Sequence, residues 1–300
     1  MADRPLPRQI AARARVEYLV RPERDAEELR GLLAPQRAYA AYALGQLQPG
    51  LLERSEWWRA RGAQGEALVL HSRGGLGNAL FALGTVDALE AVLRLHPGPR
   101  HTFLTCQVHH IRTVLRHYQL SELAQMARMT VDRNSFRPAL SEARRLQGRD
   151  VPQINRLYRS DGTPAFYNAQ NIDDAVYYGI EDGRRLVAVA GTHVISRAEG
   201  IAVIGNVFVQ QAHRGHGLGT QVTGAVTRQA LLSCQEVALT VDPRNVAAVR
   251  AYQRLGYREV GRLFEGAATR RDLGLAAFLG RRAAALRGRR YGAELVDLPA

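Results

Sequence analysis

Apolar positions fall at helical spacing across residues 28–47, where Leu29, Leu32, Leu33, Tyr39, Tyr42 and Leu47 mark one face and Pro35 interrupts the run. Short apolar stretches then predict strands at 56–61, 66–72 and 78–83. Thr85 reads as a helix cap, because Val86, Leu89, Val92 and Leu93 recur behind it at helical spacing. Residues 101–106 read as a strand, 108–118 as a helix and 123–131 as a strand, which closes one mixed α/β unit near Phe136. At Ala139 the pattern restarts. A helix is predicted at 150–158, then strands at 175–181 and 185–195 joined across Asp182-Gly183, a dipeptide that tolerates the positive φ of a tight turn. A strand at 200–209, a helix at 218–232, a strand at 236–241, a helix at 245–255 and a strand at 257–264 complete the second unit. The two halves share an order of helices, three strands, helix, strand, helix, strand, which predicts a tandem duplication and a mixed-sheet α/β fold.

Composition changes this picture little. The chain has 300 residues, 46% hydrophobic and 23% charged, as expected for two globular domains. No apolar run approaches the roughly 18 residues of a membrane span, and charges interrupt the first twenty residues, so a cytoplasmic protein without a membrane partner is expected. The net charge of +13 would suit a polyanion. All 41 basic residues are Arg, however, and no nucleic-acid-binding signature accompanies them, so the excess reads as coding bias and no nucleic-acid partner is expected. Cys106 and Cys234 are too few for a disulfide framework or a metal cluster and read as small buried hydrophobes. A nucleophile formed by Cys106 with His109 or His110 is disfavoured, since these lie on a predicted helix of the half that lacks the loop described next. The tail, 267–300, pairs an Ala-rich stripe with Arg and reads as a C-terminal helix, packed on the protein or forming a homodimer contact.

The chemistry concentrates in HRGHGLGT, residues 213–220, which joins a predicted strand to a predicted helix. The first amides of a helix lack partners within it, and its dipole adds positive character there, so an anion fits. Gly215, Gly217 and Gly219 let successive amides turn toward a pyrophosphate, with Arg214 and His216 as side-chain donors. The spacing matches neither G-x-G-x-x-G nor G-x-x-x-x-G-K-[ST]. It does match R-x-x-G-x-G, and residues 245–257, NVAAVRAYQRLGY, match N-x-x-A-x-x-x-Y-x-x-x-G-[FY]. With both blocks in order and one strand between them, residues 175–265 resemble the GNAT superfamily of acyl-CoA-dependent N-acyltransferases.

The resemblance implies two tandem GNAT-like domains: 1–138 degenerate and without the cofactor loop, 139–266 catalytic, and 267–300 an Arg-rich helical extension. It implies acetyl-CoA as acyl donor, no metal, and a small-molecule or protein amine as acceptor. The donor would lie where two parallel strands splay apart, on the backbone of Val207, Phe208 and Val209. Its diphosphate would sit on Arg214, Gly215, His216, Gly217, Leu218, Gly219 and Thr220, and its arm would run past Asn245, Ala248 and Tyr252. Tyr252 matches the family's general acid. A Glu that some members place on the splayed strand is missing from 201–209, leaving His193, Glu199 or a water chain as base. In the first half the equivalent junction carries one Gly, and Asp87 would repel a pyrophosphate. Tyr167, Tyr177 and Tyr178 are candidates for the acceptor pocket. Rival expectations are a larger acyl-CoA, or a CoA-binding regulatory module without turnover.

Overall fold

The computed structural model describes residues 15–74, 77–162, 167–271, 274–276, 278–280, 282, 283, 286 and 292–299. The first half runs β1 (Arg15–Pro22), α1 (Ala26–Leu33), α2 (Ala41–Gly45), β2 (Glu56–Gly62), β3 (Gly65–Gly74), β4 (Gly77–Gly84), α3 (Val86–Leu95), β5 (His101–Cys106), α4 (Ile111–His117) and β6 (Tyr118–Asp132). The second runs β7 (Arg144–Arg145), α5 (Val151–Arg159), α6 (Ala169–Asp173), β8 (Tyr177–Asp182), β9 (Arg185–Ser196), β10 (Ile201–Val209), α7 (Leu218–Leu231), β11 (Glu236–Val241), α8 (Val246–Arg254) and β12 (Arg258–Arg270). The succession is the same in both, so two units of like topology stand in tandem. The helical run expected at 28–47 divides at Pro35. Asp25 caps the first piece by accepting from the amides of Glu27 and Glu28, at 2.8 and 3.3 Å.

The thirteen strands among the described residues form one sheet, in the order β13-β1-β2-β3-β4-β5-β12-β6-β11-β10-β9-β8-β7, with β13 at Glu294–Pro299. Its only parallel pairs among the described residues are β4 with β5 and β10 with β11, equivalent places in the two halves. The last strands are exchanged. β6 ends the first half yet pairs with β11 of the second, while β12 ends the second and pairs with β5 of the first. A cut at residue 138 therefore divides the chain but not the sheet. The 267–300 segment expected as helical begins inside β12 and ends in β13, an edge strand paired with β1. Helical residues lie between, at 275, 276, 278–280, 282, 283 and 286, and the rest of that expected helix falls outside the described residues.

The core follows the exchange. α1 and α2 cover Leu68, Leu70 and Phe81 of their own half and also Val194, Ile201, Val203 and Ala238 of the other. Gly45 of α2 lies so close to Val194 that a Cβ there would collide with it. Arg30 of α1 clasps the buried Glu199 carboxylate, with Nε at 3.0 Å from Oε2 and Nη2 at 2.8 Å from Oε1. On the opposite face, α7 and α8 cover Ala127, Met129 and Val131 of β6 together with strands of the second half. No helix among the described residues is long and apolar enough to cross a membrane.

Candidate active site

β10 and β11 pair in parallel only from Ile201 with Glu236 to Ile204 with Leu239, and β10 then continues to Val209 without that neighbour. A bulge causes the parting. Gly205 still opposes Gly191 of β9, but pairing resumes only at Phe208 with Val189, so Asn206 and Val207 are looped out. Asn206 holds a left-handed φ of 54°, uncommon for a residue with a side chain. Two tyrosines fix it: Tyr158 Oη donates to the Asn206 carbonyl at 2.6 Å, and Asn206 Nδ2 donates to Tyr177 Oη at 2.8 Å. Tyr167 stacks on Tyr158 with ring centres 5.3 Å apart. Tyr158, Tyr167 and Tyr177 thus form an aromatic wall behind the bulge, while Tyr178 lies on the other face, its Oη 3.4 Å from Gln229 Oε1. Val207 and Val209 face the α7–α8 side, and Phe208 faces the wall.

The glycine loop follows a single helical turn at 211–213. Gly215 and Gly217 have φ of 86° and 77°, a region that side chains disfavour, so the turn itself accounts for both. Gly219 is different. It lies within α7 at ordinary φ, and a Cβ would meet only a methyl of Val209, at 3.6 Å. Gly217 caps α7 through its backbone alone, its carbonyl accepting from Gln221, so the amides of Leu218, Gly219 and Thr220 begin the helix without intrahelical partners. No acidic residue sits in that turn. Arg214 is exposed, with Nε donating to the Val209 carbonyl at 3.1 Å and Nη2 at 3.8 Å from Asp161, and His216 is exposed beside it. In the first half, Asp87 occupies the first turn of α3, and the carbonyl of Gly84 accepts from His110 at 2.8 Å.

α8 opens at Asn245, whose side chain accepts from the Ala248 amide at 3.1 Å and so is engaged as a cap. Ala248 and Tyr252 follow on one face against the α7 core. Tyr252 is 7% exposed, and burial, with no hydrogen bond opposing it, pushes its phenol up to about 12.

Three features bear on the base. Glu199 is held by Arg30, as described. His193 is exposed to solvent, yet burial is the main influence lowering its imidazole below the usual histidine value. Both hold for a side chain on the floor of a recess, which water reaches and protein surrounds; the ring lies against Gly205, where a Cβ would collide with it. Lastly, the recess brings in charges that sequence reading missed. Arg128 of β6 lowers the His193 pKa further, and Glu265 of β12 acts on Arg128 in turn. They stand 137 positions apart, and only the strand exchange joins them, so no local motif could have found the pair. Two surface hollows, of about 280 and 680 Å³, lie elsewhere, beside Asn134 and Gly256 and beside Trp57 and Arg73.

Cys106 is fully buried, its thiol pushed up to about 12 by burial, which removes it as a nucleophile. Cys234 is also buried. No group of three or more His, Cys, Asp or Glu among the described residues is arranged to hold a metal.

Residues 142–257 match the model of the Acetyltransferase (GNAT) family. No curated protein matches the chain. Among solved structures, a Drosophila protein superposes with a TM-score of 0.58 at 14% identity, covering 84% of this chain and 97% of its own. A GCN5-related N-acetyltransferase from Sphaerobacter thermophilus gives 0.53 at 17% identity, covering 86% and 98%, and one from Kribbella flavida 0.51 at 16%, covering 70% and 88%. At such identities these likenesses speak for the fold, and the family match speaks for the second half of the chain, whose parted strands and glycine loop have just been described. Residues 142–257 form an acetyltransferase domain that matches the GNAT family, and that match supports an acyltransferase.

Proposed function

We propose that this chain transfers an acetyl group from acetyl-CoA to a primary amine by direct attack, using only its second half for the donor. The observation that carries this reading is Gly219. Glycine inside a helix costs about 0.5–1 kcal/mol relative to alanine, and here neither φ nor packing requires it. An approach from outside does. The free amides of Leu218, Gly219 and Thr220, with those of Gly215, His216 and Gly217, would receive the donor's diphosphate, and Arg214 would add charge from the rim. The backbone of Val207, Phe208 and Val209, which no longer pairs with β11, would receive the donor's arm, which Ala248 is small enough to let pass. Asn245 shapes the helix start that the arm follows.

When bound, acetyl-CoA supplies an activated thioester carbonyl. The N–C bond forms as the C–S bond breaks, the amine proton leaves to the base, and Tyr252 Oη gives its proton to the sulfur. A phenol pushed up to about 12 stays protonated at neutral pH and so can donate. His193, its pKa lowered, is neutral at pH 7 and able to accept, directly or through water. Residues 1–138 carry no second donor site in this reading, because Asp87 and the committed Gly84 carbonyl fill the equivalent junction; residues 139–266 form the catalytic domain. Heating with and without CoA, and following thiol release from acetyl-CoA over an amine panel, tests the proposal. Protection at one CoA per chain and amine-dependent thiol are expected, whereas no protection overturns it.

A further inference from the structure

Arg128 sits in β6 between Thr240 of β11 and Gly261 of β12. Its neighbours Ala127 and Met129 point into the core shared with Tyr252, so by strand alternation Arg128 points to the opposite face, which α1 and α2 cover. It is 3% exposed, and Nε and Nη1 are enclosed without a hydrogen-bond partner among the described residues. A guanidinium offers five donors, and enclosing it with donors unmet is among the most costly arrangements a fold can hold. Neither Glu265 nor Tyr39 hydrogen-bonds to it, and Glu265 acts on it only through charge. Glu265 is engaged instead with Thr105 and Thr240, and Tyr39 Oη donates to the Ala82 carbonyl at 2.5 Å. His193, on the floor of the same recess, faces Arg128, Asn206 and the Gly205 backbone.

Resting on the acyltransferase reading, we propose that Arg128 seats a carboxylate on the acceptor, so that the substrate class is a small molecule bearing both an amine and a carboxylate. The planar fork of Arg matches a carboxylate with two parallel hydrogen bonds. Glu265, a second charge of opposite sign in the same recess, complements the ammonium end of such a zwitterion and weighs against a dianionic phosphate. In this proposal the acceptor approaches the parted strands from the face opposite α7 and α8, and the donor from the α7–α8 side.

The test uses the full chain and matched probes: the standard L-amino acids and their carboxamides, each measured by thermal shift with and without CoA. At least one free acid should raise the melting temperature where its carboxamide does not. Arg128→Met should abolish that shift, keep the shift caused by CoA, and melt no lower than wild type without ligand, since an enclosed unmet charge has been removed. Arg128→Lys, which keeps the charge but loses the fork, should bind the same acid about tenfold more weakly. The proposal is overturned if no acid outperforms its carboxamide, if Arg128→Met still responds to the acid, or if ligand-free Arg128→Met melts well below wild type, which would assign Arg128 to the fold. Failure of CoA to protect would sink the acyltransferase reading instead, and the comparison of acid with carboxamide in CoA-free protein remains separately readable.

Discussion

Replacing Gly219 by alanine should move stability and donor affinity in opposite directions. The new methyl meets only Val209, at an ordinary contact distance of 3.6 Å, and the backbone already has a φ that alanine accepts. Removing the glycine penalty should stabilise the ligand-free fold by about 0.5–1 kcal/mol, or roughly 1–4 °C for a chain of this size. The same methyl stands over the first turn of α7. Pushing a diphosphate off even one amide there forfeits a charge-assisted hydrogen bond worth about 1.5–3 kcal/mol, which is about a tenfold to hundredfold loss in CoA affinity. Urea unfolding of the free protein measures the first quantity and titration calorimetry with CoA the second. Gly217→Ala is the control: at φ 77° the substitution strains the backbone and should destabilise the free protein by about 1–2 kcal/mol. If Gly219→Ala binds CoA as wild type does, the diphosphate lies elsewhere and the role given to the loop is wrong; if it destabilises the free protein, the open space above α7 has been misread.

Four further outcomes are expected. Tyr252→Phe should lower turnover by about 10²-fold or more with CoA affinity nearly unchanged, and equal turnover in a thiol-release assay would remove Tyr252 as the acid. Since burial lowers the His193 pKa, the acidic limb of kcat/KM against pH should lie below pH 6.5, and His193→Gln should erase it; a limb that persists would dismiss His193. Glu199→Gln breaks the bidentate clasp on Arg30, a residue itself partly exposed, and should cost about 1–3 kcal/mol in urea unfolding while leaving the shape of the pH profile intact. Glu90 is held down to about 2 by His117 and Arg116, against the cost of its burial. A depressed carboxyl contributes stability above its unfolded value of 4.5 that fades as pH falls toward about 2, so Glu90→Gln should be less stable at neutral pH and show a flatter stability curve across that acid window.

The features legible in the sequence are those whose physics is local. The glycine loop, the cap at Asn245 and the alternation of strands and helices in each half are set by residues within a turn or two of one another, and the predicted strand at 236–241 coincides with β11. β1 is absent from the sequence-based expectation although Val16, Tyr18 and Val20 alternate with exposed Glu17, Leu19 and Arg21, because its pairing with β2 and β13 depends on residues far along the chain. β6 and β12 are longer than periodicity suggested, since their outer residues are ordered by strands of the opposite half. Gly205 is the one local hint of the bulge at Asn206, and the tyrosines that fix it come from a separate helix and strand. Arg128 and Glu265 left no signal, because an isolated Arg and Glu within strands mean nothing until two distant segments are brought side by side.

The traded last strands make this single polypeptide behave as two protomers that cannot be parted. Excising residues 142–257 alone would strip β11 of its neighbour β6, remove β12 altogether, and leave the amides and carbonyls along that side of β11 as raw margins. Such a fragment should seek a second copy to close those margins, so a gene fragment cloned by the limits of the family match is expected to yield intertwined dimers or aggregates rather than a smaller working enzyme.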